Sequence, residues 1–366
     1  MRLDSPCATL RYRIHNALVR TAFVNALYIT SLTKGAGKTA IAASLVALFK
    51  ERGKAAGYIK PVAAFADAVP AGYTDGDAAF CKQALGLAEP AAVMAPAAVT
   101  VKSLAGGLGA ELSTTVRKRL ADLSKGKETI VVEGLPTAEE TATASKELAA
   151  VCEAKVVAVV AGERGMAMDG VVALKAQFGE RFLGVILNGV PELNMRSVRE
   201  EIAPALAAKG VRVLGVIPQD RLLLSLSVAD YTQLLGGRVV TSDEKINELV
   251  EHIILGANVV DSSEFYYERM SGKALVTRAD RPDLQWNVLG EKTKCLILTG
   301  GKDPIPYVTD RAAEAGVPVV IVAKSTLDTV AAMESFVTKA TFHYPQKLAR
   351  AKDLLKSHAD LHALGV

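Results

Sequence analysis

Six short apolar runs rich in β-branched residues punctuate the first two thirds of this chain, at 25–30, 55–59, 129–133, 156–161, 182–188 and 213–217. Several are apolar without interruption, as strands buried on both faces of a parallel sheet must be. The stretches between them, 39–52, 78–85, 108–123, 170–178 and 195–209, have helical composition. This alternation predicts an α/β domain over residues 23–237, with a doubly wound, mostly parallel sheet.

The pair Gly236-Gly237 reads as a domain boundary. Beyond it the pattern restarts, with a helix at 243–254, strands at 273–277, 295–298 and 319–322, and helices at 308–315, 326–336 and 345–355. A smaller α/β domain is therefore expected over 238–366. The total of 366 residues agrees, since a domain usually takes roughly 100–200. The Ala/Pro-rich stretch 89–98 reads as a surface loop. Residues 1–22 carry Arg2, Arg11, Arg13 and Arg20 against Asp4 but lack the apolar core of a secretory signal, so an N-terminal extension is the preferred reading over a targeting peptide.

Composition narrows the partners. The net charge of +4 is small and spread along the chain, which argues against nucleic acid as the main partner. Cys7, Cys81, Cys152 and Cys295 lie far apart with no C-x-x-C pair, so neither a zinc site nor a disulfide framework is indicated, and a reducing cytoplasm fits. No apolar run approaches the roughly 20 residues of a membrane span, so no membrane is expected.

The strongest chemical signal is Ser31-Leu32-Thr33-Lys34-Gly35-Ala36-Gly37-Lys38-Thr39, between the first strand and the first long helix. Glycines there let the backbone amides of Gly35, Ala36 and Gly37 converge on phosphate oxygens. The helix start adds its positive dipole end, Lys38 meets β/γ charge, and the Thr39 hydroxyl suits Mg²⁺. This is a phosphate-binding loop for a nucleoside triphosphate. The first glycine of the short motif would fall at Leu32, so only a longer loop anchored by Gly35 and Gly37 fits. Lys34 either reaches phosphates across a dimer interface or is a solvated loop lysine.

Further candidates sit at predicted strand ends, where open α/β sheets bind ligands. Lys60, in Gly57-Tyr58-Ile59-Lys60-Pro61-Val62-Ala63, is a second cation for a transferring phosphoryl group or a substrate anion. Asp75-Gly76-Asp77 supplies acids before a helix, read either as metal ligands or as a turn with an N-cap. Glu133 ends a very apolar strand before Gly134, a position suited to Mg²⁺. Asn188 either presents its amide to a purine edge or makes an Asn-Gly turn. Pro218, in Gly215-Val216-Ile217-Pro218-Gln219-Asp220, opens a loop placed to line the base pocket.

Taken in order, the G-K-T loop, G-Y-x-K-P-V-A, an acid before a helix, V-V-E-G, a strand ending in Asn and G-x-I-P-x-D resemble the dethiobiotin synthetase and cobyrinic acid a,c-diamide synthase family over about residues 24–237. The resemblance implies ATP as the nucleotide, with Mg²⁺ on Thr39, Asp77 and Glu133. It implies phosphate- and substrate-facing roles for Lys38 and Lys60, an adenine contact for Asn188, and a dimer with the acceptor site at its interface. The second half resembles a DRTGG domain, with Ala279-Asp280-Arg281-Pro282-Asp283 at the position of the naming motif and its Thr and Gly pair absent. The combination is similar to the regulatory N-terminal region of long-form phosphate acetyltransferases, with no acetyltransferase domain expected here.

Two departures bear on activity. Ala64 replaces the serine that follows K-P-V-A in dethiobiotin synthetase, and Leu135-Pro136-Thr137 replaces a glycine-rich loop. Losing a hydroxyl from a polar substrate site costs about 1–3 kcal/mol, which argues against biotin synthesis. Cys295 in a buried strand and the late His343, His358 and His362 do not suggest a glutaminase. The leading expectation is a Mg·ATP-binding regulator of a metabolic-enzyme partner. The alternative is an ATP-dependent ligase that activates a small carboxylate or takes an amine acceptor, with Lys38 and Lys60 as its catalytic pair.

Overall fold

The computed structural model describes residues 25–138, 140–162, 168–256, 267 and 269–366. The N-terminal extension expected at 1–22, and Cys7 with it, lie outside the described residues. The described residues form two compact units, one within 25–219 with 343–366 and one within 220–342.

In the first unit a six-stranded sheet contains β1 (Asn25–Ser31), β2 (Ala56–Ile59), β5 (Thr129–Pro136), β6 (Lys155–Ala161), β7 (Phe182–Val190) and β8 (Val213–Pro218). Their order is β2-β5-β1-β6-β7-β8, and every pair is parallel. The expected runs become strands because Tyr28, Ile29, Val131, Val132, Val157 and Val159 are buried from both sides. Helix α1 (Lys38–Glu51) follows β1 and buries Ile41, Leu45, Val46, Leu48 and Phe49. At β1 the chain goes on to α1 while β5 and β6 flank it on either side, so the crevice at its carboxyl end is the expected place for a ligand. The 195–209 helix has a π-helical turn at Val198–Ile202, before the segment Ala203–Ala208 that contains Pro204, whose missing N–H disturbs the regular ladder.

The stretch 89–98 is not the surface loop its composition suggests. Met94 is fully buried, and β4 (Ala97–Thr100) pairs in parallel with β3 (Val62–Phe65). Small alanines let this two-stranded ribbon lie close, and the Met94 carbonyl accepts from the backbone N–H of Lys60 at 2.8 Å.

The second unit holds a five-stranded sheet in the order β10-β15-β14-β13-β12. Here β12 (His252–Leu255), β13 (Lys273–Arg278), β14 (Thr293–Thr299) and β15 (Val319–Val322) run parallel, and β10 (Arg238–Thr241) closes the edge antiparallel. A short ribbon pairs β9 (Leu226–Ser227) with β11 (Leu249–Val250). Two sequence expectations are corrected here. The helix at 243–254 is instead a 3-10 turn followed by β11 and β12, because the Leu249-Val250 and Ile253-Ile254 pairs satisfy strand as well as helix periodicity and β13 supplies a ladder. Gly236 is the left-handed cap of a helix at Val228–Leu235, and a Cβ on Gly237 would lie 2.8 Å from the Val320 side chain, so this pair is inside the second unit and the boundary falls at Asp220.

The final helix, α10 (Pro345–His358), belongs to the first unit and not to the second. It buries Leu348, Ala351, Leu354 and Leu355. Lys352 pairs with Glu51 of α1, the N–H of Asp360 donates to the Leu214 carbonyl at 2.7 Å, and Arg52 donates to the Val366 carbonyl at 3.0 Å. Sequence distance conceals this return, since nothing local to 345–366 marks which unit it will cover.

Candidate functional site

After β1 the chain turns through Gly35 and Gly37, both left-handed at φ 83° and 97°. A Cβ on Gly37 would come within 2.3 Å of the Asn188 amide nitrogen, so glycine is required there by conformation and by space. Gly37 caps α1, whose first turn carries no acid, leaving the helix start free to favour an anion. The Lys38 ammonium donates to the Ser31 hydroxyl at 3.0 Å, and that hydroxyl donates to the Thr33 carbonyl at 2.7 Å. The loop is thus closed on itself by its own lysine.

Glu133 is the centre of the site. It is only 3% exposed, and its two oxygens accept from the Thr39 hydroxyl at 2.8 Å and the Tyr58 hydroxyl at 2.7 Å. Burial pushes its carboxyl above the usual range and nearby Asp77 adds to that, while Lys60 and Lys38 pull the other way. Burial also lowers the Lys38 ammonium, partly offset by Glu133. Lys60 behaves oppositely: burial works against its charge, but Glu133, Asp77 and Asp75 outweigh it and hold it protonated.

Lys60 forms ion pairs with Asp75, at 3.0 Å, and with Asp77. Asp75 is the N-cap of α2 (Gly76–Leu85), accepting from the Ala78 N–H at 2.9 Å and from the Tyr73 hydroxyl at 2.7 Å. The N-cap role left open for both acids therefore falls to Asp75, and Asp77 stands in the first turn. The other Asp77 oxygen lies 2.8 Å from His343 Nε2. Despite burial, His343 and Lys60 hold the Asp77 carboxyl down to about 2.

The structure thus brings Lys38, Thr39, Tyr58, Lys60, Asp77 and Glu133 to one place. Thr39 and Glu133 touch directly, whereas Asp77 is engaged by Lys60 and His343. Among the described residues no cluster of three or more His, Cys, Asp or Glu is arranged to hold a metal ion. Asn188 does not point to an open purine site with its nitrogen; that atom donates to the Ala36 carbonyl at 2.9 Å and fixes the loop. Lys34 is exposed, and Pro218 ends β8 opposite Val190. Sequence reasoning missed Tyr58 and His343. Tyr58 was within reach, because it lies two residues before Lys60 and so shares its side of the strand; His343 lies 266 residues from Asp77 and no motif announces it.

The segment after Glu133 is locked into β5. The Tyr28 hydroxyl accepts from the Leu135 N–H at 3.0 Å, the Leu135 carbonyl accepts from Thr30 at 2.8 Å and Ser145 at 3.2 Å, and a Cβ on Gly134 would strike the Tyr28 ring. A cavity of about 450 Å³ lies at the opposite, amino-terminal end of the sheet, lined by Asn25, Lys54, Glu128 and Lys155 with residues of the chain terminus. It holds none of this chemistry.

Residues 25–225 match the AAA domain family, which takes in more than half of the chain. The chain belongs to the AAA domain family. A DRTGG domain follows, matched over residues 230–336, as the sequence resemblance implied. Among curated proteins the chain is similar to phosphate acetyltransferase of Nitrosomonas europaea, 25% identical over 357 residues that cover 92% of this chain and 50% of the relative. The chain thus spans half the length of that relative. The AAA domain is similar to a solved cobyrinic acid a,c-diamide synthase from Mycobacterium smegmatis with ADP and magnesium, at 14% identity and a TM-score of 0.35, covering 54% of this chain and 88% of that one. The DRTGG domain is similar to the CBS and DRTGG domains of a Clostridium perfringens pyrophosphatase, at 17% identity and a TM-score of 0.28, covering 33% of this chain and 54% of that one. At such TM-scores neither likeness bears on the reading of the site. No helix among the described residues is long and apolar enough to cross a membrane.

Proposed function

We propose that this chain is a nucleotide-responsive regulatory protein, in which the AAA domain takes up Mg·ATP and the DRTGG domain reports its presence to a metabolic-enzyme partner. The observation that carries this reading is the engagement of Asp77 by His343. His343 is the residue at which the chain re-enters the first unit after the second. Of the two covalent connections of the second unit, the one at His343 therefore starts from a residue that touches the candidate site. A change in what Asp77 holds is felt at His343, where the chain leaves the second unit.

The residues fit the cofactor. The positive helix start, the left-handed glycines and Lys38 suit triphosphate, and the mutually repelling carboxylates of buried Glu133 and half-buried Asp77 suit a divalent cation. Thr39 and Glu133 would hold Mg²⁺, with Asp77 joining them once free of Lys60 and His343; the ion would supply charge neutralisation at the phosphates. The Ala64 position and the locked Leu135-Pro136 segment support a degraded acceptor site. A dimer is part of the proposal on family resemblance alone.

A carboxylate-activating ligase is the second reading, favoured by Lys60, which stands at the end of β2 as a fixed second cation beside the acids. Thermal melting and turnover with Mg·ATP separate the two. We expect a rise in melting temperature that Lys38→Ala abolishes, with little turnover in the presence of small carboxylates, diamines or bicarbonate. Turnover that climbs with one added acceptor would establish the ligase, and an unchanged melting shift in Lys38→Ala would refute the phosphate-loop assignment.

A further inference from the structure

The second unit has its own crevice at the carboxyl ends of parallel strands. After β14 the chain enters α8 (Pro306–Glu314), which packs Val308 and Ala312 into the apolar cluster containing Leu296, Leu298 and Ile321. After β15 it enters α9 (Thr326–Ser335), which packs Met333 into the cluster on the other face, with Ile297, Val320 and Val322. Adjacent strands thus send their loops to opposite faces of the sheet. That divergence opens a crevice where ligands of α/β sheets bind.

A cavity of about 320 Å³ occupies this place, lined by Arg278, Thr299, Gly300, Lys302, Ser325 and Thr326. The volume matches a small phosphorylated molecule. Gly300 and Gly301 are both left-handed, at φ 87° and 71°, and their amides donate to the carbonyls of Lys324 and Val322 at 3.0 and 2.9 Å, so the loop is tied to the end of β15. The hydroxyls of Thr299 and Thr326 lie 2.7 Å apart. Ser325 caps α9 by accepting from the Asp328 N–H at 3.2 Å, which leaves the amides of Thr326 and Leu327 as helix-start donors. Asp280 is the acid on the rim, already paired with Arg278, and Asp328 in the first turn of α9 accepts from the Ser325 hydroxyl at 2.6 Å.

We infer that this crevice binds a phosphoryl group. Two cations and the backbone amides of a helix start face a space whose lining acid, Asp280, is neutralised by Arg278, the arrangement that favours a multiply charged tetrahedral anion over a cation or an apolar ligand. The site is separate from the phosphate loop of the AAA domain and does not depend on the reading given for it.

The test uses the full chain carrying Lys38→Ala, which silences the first site, and follows melting temperature and calorimetric binding with inorganic phosphate and with AMP. Binding of phosphate alone identifies a free-anion site, binding of AMP alone a nucleotide-phosphate site, and binding of both the shared group. In each case Arg278→Glu should weaken affinity by about tenfold or more. Lys302→Glu, at an exposed position that leaves the fold untouched, should weaken it in the same direction. No binding by either probe, or binding indifferent to both charge reversals, overturns the inference.

Discussion

Inside β5, ahead of its last residues Gly134–Pro136, a carboxylate is 3% exposed and held by two hydroxyls, while at the carboxyl end of β13 the Arg278 side chain is 68% exposed and paired with an acid two residues on. Both sheets are parallel at these points and both open a crevice there. They differ in where the charge is kept. The AAA domain sets half-buried Lys38, Lys60 and Asp77 around the buried Glu133, which is costly unless each has a partner, so the set is interdependent. The DRTGG domain keeps its charge on the rim and places only hydroxyls and glycines within. A site of the first kind is rigid and fails when any member is lost; a site of the second kind gives up one contact at a time.

The comparison breaks most visibly at Glu133. Glu133→Ala leaves Lys60 and the half-buried Lys38 without their shared acid, and should cost about 3–5 kcal/mol in urea denaturation while abolishing any nucleotide-induced melting shift. A loss under about 1 kcal/mol would show that the buried charges are not coupled. Gly37→Ala comes next. It forces a side chain into a left-handed conformation against Asn188, and should cost about 1–3 kcal/mol together with the nucleotide response. His343→Ala should be milder. It removes one partner from Asp77 at a site with 36% of the histidine side chain exposed, so a loss of about 0.5–1 kcal/mol is expected after allowance for solvent.

The same contrast explains what the sequence made legible. Buried charge forces unusual residues into apolar runs, and Glu133 at the end of Thr129-Ile130-Val131-Val132, or Lys38 after Gly35 and Gly37, stands out for that reason. The hydroxyls of Thr299, Ser325 and Thr326 have no such contrast, since these residues are common at any strand end or helix cap. The strands of the first sheet were readable because they are buried on both faces. β12, at the edge of the second sheet, was read as helix because an edge strand of this length offers little alternation. His343 and the return of α10 were not readable, because both depend on where the chain is carried after residues 220–342 of another unit, and local composition holds no record of that.

The most direct test of the account is hydrogen exchange across the whole chain with and without Mg·ATP. The regulatory reading predicts altered exchange around 340–345 and within 220–342 in addition to protection at 31–39. Protection confined to residues 25–219, with the second unit unchanged at a nucleotide concentration that saturates the first, would contradict it.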